Sequence, residues 1–169
     1  EIAALGTVLS RDQITHVIDI WYNGLIRQLT NLPPDIMIEK WIYDKYPALR
    51  ELQLKSLEKQ HAEAMEGISE ENMSGRVTPE TILSAYNVMN YAFFRILGFH
   101  IGRNFVKPYG KTRYLEKGKA LASITEKECD DSHEGDNLMI DRWAAFLNLS
   151  GWFQWRGFED VPANYGQEE

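Results

Sequence analysis

From Thr78 to Phe105 the chain carries apolar side chains on almost every side of a helical cylinder, and a helix of that kind is satisfied only when other helices surround it. Ile82, Leu83, Val88, Met89, Ala92, Phe93, Ile96, Leu97 and Ile101 spread over more than one face, leaving Ser84, Asn87, Tyr91 and Arg95 as a thin polar strip. Thr78 followed by Pro79 marks the expected start. The hydroxyl can accept from a first-turn amide, and the proline lacks only an amide that would be unpaired there anyway. The pattern predicts a compact, single-domain, all-α bundle of about five or six helices around a central apolar helix, about 79–105. The domain is expected to cover 1–169, with 159–169 as a docked or flexible tail.

The flanking segments supply the partners. Ser10 and Gln13 form a capping-box pattern, behind which Ile14, Val17, Ile18, Trp21, Leu25 and Leu29 recur at helical spacing opposite Asp12, His16, Asp19, Asn23 and Arg27. Asn31 to Pro34 is expected to stop this helix, because neither proline can donate to the helical ladder. A second helix is expected from Pro34 and Asp35, turning Ile38, Trp41, Ile42 and Tyr46 inward until Pro47. A third runs from about Ala48 to Met65, with a favourable Glu51–Lys55 pair. After the central helix, Pro108 and Gly110 mark a turn. A weaker helix over 112–129 contains Gly118. The last helix opens near Asp136 or Asn137, carries Met139, Ile140, Trp143, Phe146 and Leu147, and can continue past Gly151 toward Trp152, Phe153 and Trp155. No alternating strand pattern and no internal repeat are visible.

Charge narrows the function. With 44% hydrophobic residues there is ample material for one core, while a net charge of -7 opposes binding to nucleic-acid backbones or anionic lipid. The single cysteine, Cys129, permits no internal disulfide, and its acidic neighbours Glu128, Asp130 and Asp131 disfavour a thiolate. Glu1 to Leu9 lacks a basic n-region, and no apolar run reaches the ~18 residues that span a bilayer. A cytoplasmic protein with no membrane association is expected.

Three residue sets could carry chemistry or recognition. Glu58-Lys59-Gln60-His61 has the Glu-x-x-His form that helical carboxylate proteins use, since residues three apart project side by side into a bundle. Together with His16, Asp19 and His100 it defines a candidate divalent transition-metal site, set against the plainer reading that these polar stripes face water. Asp130 to Asp141 resembles an EF-hand calcium loop in part. Asp130, Ser132, Glu134, Gly135 and Asp141 fall on loop positions, but the eighth residue is Asn137 and the twelfth is Asp rather than Glu. The plainer reading is an acidic turn with Asp136 capping a helix. Trp152, Trp155, Arg156, Phe158, Glu159 and Asp160 combine aromatic anchors with acidic flanks, the composition of a docking segment. Against this, Trp152 and Phe153 could simply close the base of the bundle.

Gly-rich phosphate loops, Gly-x-Ser-x-Gly elbows, His-Glu-x-x-His and Cys-x-x-Cys pairs are absent from the sequence. Glu63-Ala64-Met65-Glu66 resembles only half of the carboxylate set with which all-α nucleotide pyrophosphohydrolases hold magnesium. The expectation is an acidic, cofactor-free, protein-binding module of the inhibitor, immunity-type or phage-encoded regulatory kind. Its partner is expected to be a protein with a basic surface, and self-association is compatible with the same chemistry. The alternative is a metal-dependent all-α enzyme using His16, Asp19, Glu58, His61 and His100.

Overall fold

Ser10 opens the first helix through a reciprocal cap: its hydroxyl accepts from the Gln13 amide at 3.3 Å and its own amide donates to Gln13 Oε1 at 2.9 Å. The computed structural model describes residues 10–69, 78–127 and 133–160. Within them the chain forms α1 (Arg11–Lys45), α2 (Arg50–Ser69), α3 (Glu80–Ile101), α4 (Leu115–Lys127) and α5 (His133–Leu147). Short 3₁₀ turns lie at Pro47–Leu49, Lys107–Lys111 and Phe158–Asp160. The fold is all-α, as the sequence predicts.

The largest departure is at Pro33 and Pro34, which do not end the first helix but lie inside one continuous α1. Tertiary packing overrides the local signal. Leu25, Leu29, Pro33 and Ile36 form one buried stripe running through the prolines, so Pro33 itself is part of the core. Fully burying a Leu or Ile contributes roughly 1.5–3 kcal/mol. Three of them offset much of what a mid-helix proline costs, about 3 kcal/mol or more each.

Helix α3 is the hub, with α1, α2 and α4 packed against it. It is shorter than the apolar pattern suggests. Pro79, not Thr78, is the N-cap and makes no side-chain cap bond. At the other end Gly102 takes φ 71°, and the Arg103 amide closes on the Gly98 carbonyl at 2.7 Å. Asn87 and Tyr91, expected on a polar strip, are buried. For Tyr91 the reason is Gly118 of α4 together with the segment that follows α3, which doubles back along it, setting Phe105 against Phe94, Tyr109 against Tyr91 and Arg113 on Glu80. This strap covers part of the face that the sequence pattern leaves open to water, and Arg95 on it stays exposed.

Helix α4 then runs beside α3, and α5 returns with Trp143 fully buried, its indole N–H donating to Thr125 Oγ1 at 2.9 Å. Asn148 at φ 60° and the Leu149-to-Ala144 backbone bond end α5, so the helix does not continue past Gly151. The buried side chains of α1 to α5 and the strap form one core cluster.

Candidate functional site

The residues of the proposed metal site are held apart. His61 Nε2 donates to the Phe105 carbonyl at 2.7 Å, with its ring between Phe94 and Phe105, so its hydrogen bond ties α2 to the strap. His100 Nε2 lies 3.0 Å from Asp44 Oδ1, its ring edge-on to Tyr43. His16, Asp19 and Glu58 are exposed. Among the described residues no three His, Cys, Asp or Glu side chains are gathered closely enough to hold an ion. The Glu58–His61 spacing fails to build a site because His61 is turned to the strap while Glu58 faces solvent.

The calcium-loop reading also changes. Asp130 to Ser132 lie outside the described residues, as does Cys129. Helix α5 is already formed at His133, so Glu134 and Asp136 belong to its first turn, where acidic side chains complement the helix dipole. Gly135 therefore makes no loop turn, and Asp136 is not the cap. Asp141 lies well inside α5 and accepts from Trp155 Nε1 at 2.8 Å.

In the C-terminal segment, Trp152 packs on the core and stacks on Tyr22, whose hydroxyl donates to the Trp152 carbonyl. These contacts fasten the segment to α1. Phe153 also packs on the core and meets Trp155 edge to face. Trp155 is 47% exposed, tethered to α5 through Asp141. Arg156, Glu159 and Asp160 are exposed, and the side chain of Phe158 lies outside those described.

A different surface stands out near the C-terminal ends of α1 and α3. Phe99 on α3 is 88% exposed, and on α1 Trp41 and Ile38 are 52% and 50% exposed. Trp41 and Ile38 line a groove of about 400 Å³ with Pro34, Met37, Lys40, Asp44 and Asp136. Phe99 lines an adjoining cleft of about 280 Å³ with Ile36, Lys40, Ile96, His100, Thr125 and Glu126. Lys40 is common to both, and the Asp44–His100 bond joins a residue of one to a residue of the other. Tyr46, edge-on to Trp41, extends the apolar area toward the α1–α2 turn.

Ile38 and Trp41 are expected to face inward only if a new helix starts at Pro34, whereas α1 runs unbroken through both prolines. If the buried stripe is carried through the prolines at about 100° per residue, Trp41 falls about 140° and Ile38 about 200° from Ile36, on the outer face. The signal was present but depended on the helix being unbroken. For Phe99, the continuous apolar pattern of the hub gave no hint that one member faces water. No protein-family model, curated protein or solved structure matches this chain.

Proposed function

We propose that the protein is a binding module for another protein, engaged through the surface built by Ile38, Trp41 and Phe99. The observation that carries this reading is the clustering of exposed anchors around Lys40 and the Asp44–His100 pair. Single exposed apolar residues are ordinary on a soluble protein, whereas adjoining clefts that share a rim and present a tryptophan and a phenylalanine make a contiguous patch. Aromatic anchors of this kind supply most of the energy of protein interfaces. Leaving a phenylalanine side chain almost fully in water forgoes roughly 1.5–3 kcal/mol that a partner can recover.

The polar rim supports a partner with basic groups. Asp44, Asp136 and Glu126 line the clefts, against Lys40 and His100, on a chain of net charge -7. Long-range attraction would steer a positively charged protein, and the apolar anchors would hold it once docked. No helix among the described residues is long and apolar enough to cross a membrane. Trp155, Arg156, Glu159 and Asp160 form a second exposed edge that a large partner could also touch.

Quantitative affinity capture from a lysate of the source organism tests the reading, with the intact protein compared against the Trp41→Asp/Phe99→Asp double variant. The expected result is a basic protein retained by the intact chain and lost by the variant while thermal stability is preserved. Identical protein profiles for the two baits would refute it.

A further inference from the structure

Charge is not spread evenly along this chain. Residues 95–119 hold seven of the 18 Lys and Arg and one of the 25 Asp and Glu, Glu116. The net charge of -7 is therefore the average of a basic stretch and a strongly acidic remainder. Such an average opposes contact with a polyanion only if the fold disperses the cations.

The fold gathers them. The strap runs back along α3 from Gly98, where a built Cβ would meet the Arg103 carbonyl, to Glu80, which holds Arg113. At 1.5 Å per residue that path is roughly 27 Å long. Arg103, Lys107, Lys111 and Arg113 are strung along it, all exposed. Between them Phe105, Tyr109 and Tyr114 are buried, so each cation sits within two residues of backbone pinned to the core.

Tyr91 brings in two more. Its ring meets Tyr109 of the strap and lies against Gly118 of α4. Arg95, one turn along α3 and about 40° round from Tyr91, is exposed. Lys117 lines a cleft with Phe146 and Asn148 on the α5 side. Lys119 is exposed on the other side of Gly118, about 100° round in the opposite direction, and so is turned away from α5.

Arg113 and Lys119 carry surface ion pairs with Glu80 and Glu116, at 2.6 and 2.8 Å, and such pairs are worth little in water. Arg95, Arg103, Lys107 and Lys111 make no ion pair among the described residues. No large apolar side chain is exposed between residues 103 and 119. The strap thus offers charge on a fixed frame and no apolar anchor.

We propose that the strap, with Arg95 and Lys119 beside it, is a binding site for the phosphate backbone of a nucleic acid, engaged without reading sequence. An extended row of separate cations suits a ligand whose charges repeat along a line, and release of its counterions supplies the driving force. A protein partner would call for aromatic anchors at the centre of the contact, and a membrane surface for apolar side chains that enter it. The acidic remainder of the chain does not cancel the row, because at physiological salt its field fades over about 8 Å. Buried aromatics hold the cations in place beforehand, which lowers the ordering cost of binding. The site shares no residue with the surface of Ile38, Trp41 and Phe99 and does not depend on it.

Fluorescence anisotropy of a labelled DNA duplex of mixed sequence, titrated with the full chain from about 50 to 200 mM KCl, tests the proposal. Neutralising about four to six phosphates predicts that log affinity falls against log salt with a slope of about 3.5 to 5.5, a loss of roughly 10²- to 10³-fold over that range. A single strand of the same length should show a slope about one-fifth shallower. Arg103→Gln/Lys107→Gln/Lys111→Gln removes three contacts, and should weaken binding at least about tenfold at the lowest salt and reduce the slope by about 3. Arg27→Gln/Lys55→Gln/Lys59→Gln removes the same charge from exposed positions on α1 and α2 and should change affinity by no more than about twofold. Both variants should keep the helical circular dichroism of the intact protein, since every position changed is exposed. Absence of binding at the lowest salt, a slope below about 2, or equal weakening by the two variants would overturn the assignment. Tighter binding to phosphatidylserine vesicles or to poly-glutamate than to the duplex, at equal concentration of anionic groups, would overturn it as well.

Discussion

Gly118 of α4 rests so close to the ring of Tyr91 on α3 that a Cβ built at position 118 would stand 2.5 Å from the ring's Cγ and Cδ1. The glycine that weakens α4 in isolation is what lets α4 and the hub approach. Gly118→Ala gains up to about 1 kcal/mol of helix propensity, but it must displace a fully buried ring, and overpacking of this kind costs typically 1–3 kcal/mol. The expected net effect is a loss of about 1–2 kcal/mol in denaturant unfolding. Gly24→Ala is the control: with nothing within 4 Å it should gain roughly 0.5–1 kcal/mol.

Tyr109 is fully buried in the strap, its ring edge-on to Tyr91 and its hydroxyl without a hydrogen-bond partner among the described residues. Removing an unsatisfied buried hydroxyl while keeping the ring should help, so Tyr109→Phe is expected to stabilise by about 1 kcal/mol. Burial, with a smaller contribution from Tyr86, also pushes the phenol above its ordinary value of 10.0. Above pH 10.0 the unfolded chain gives up a proton that the folded one retains, so intact protein loses stability as pH rises through that range. Melting curves of Tyr109→Phe should show a shallower alkaline decline.

Asp35, half-buried in α1, has its carboxyl raised above the ordinary 3.8 by burial and by the nearby charge of Glu39. A raised carboxyl pKa means that the folded state holds the proton more tightly. Its ionisation therefore begins to cost stability as pH climbs past 3.8, and the cost is complete once the pH has passed the raised folded-state value. Asp35→Asn should raise the Tm at pH 7, with the gain shrinking to nothing below pH 3.8. A gain that grows on acidification would contradict the sign.

Thr125 receives the indole N–H of Trp143 and donates its own hydroxyl to the Leu121 carbonyl, making a buried relay between α4 and α5. Thr125→Val keeps the shape but leaves the indole N–H unpaired, and a loss of about 1–3 kcal/mol is expected. A double-mutant cycle with Trp143→Phe should recover part of that loss as a coupling energy, because the orphaned donor is then gone.

The hub was legible because its apolar pattern is long and unmistakable, and Ser10 with Gln13 marked the start of α1 without tertiary help. What misled was local chemistry outweighed by packing. Pro33 and Pro34 are strong breakers in isolation, yet the stripe from Leu25 to Ile36 holds them in helix, and that continuity sets the outward phase of Ile38 and Trp41. Tyr91 reads as part of a wet strip because no helical periodicity announces the strap of Phe105 and Tyr109. His16, Asp19, Glu58, His61 and His100 had spacings suited to a shared ion, but spacing along a helix does not fix which neighbour a side chain meets. His61 meets a carbonyl and His100 meets Asp44.

Site-specific photo-crosslinking tests the central claim most directly. A benzophenone side chain placed at position 99 in cells of the source organism should yield one discrete adduct with a second protein. The same group at Glu58, exposed on α2, should yield none. Absence of an adduct at 99, an adduct made only of two copies of this chain, or equal labelling from both positions would contradict the assignment of Phe99 and Trp41 as the docking surface.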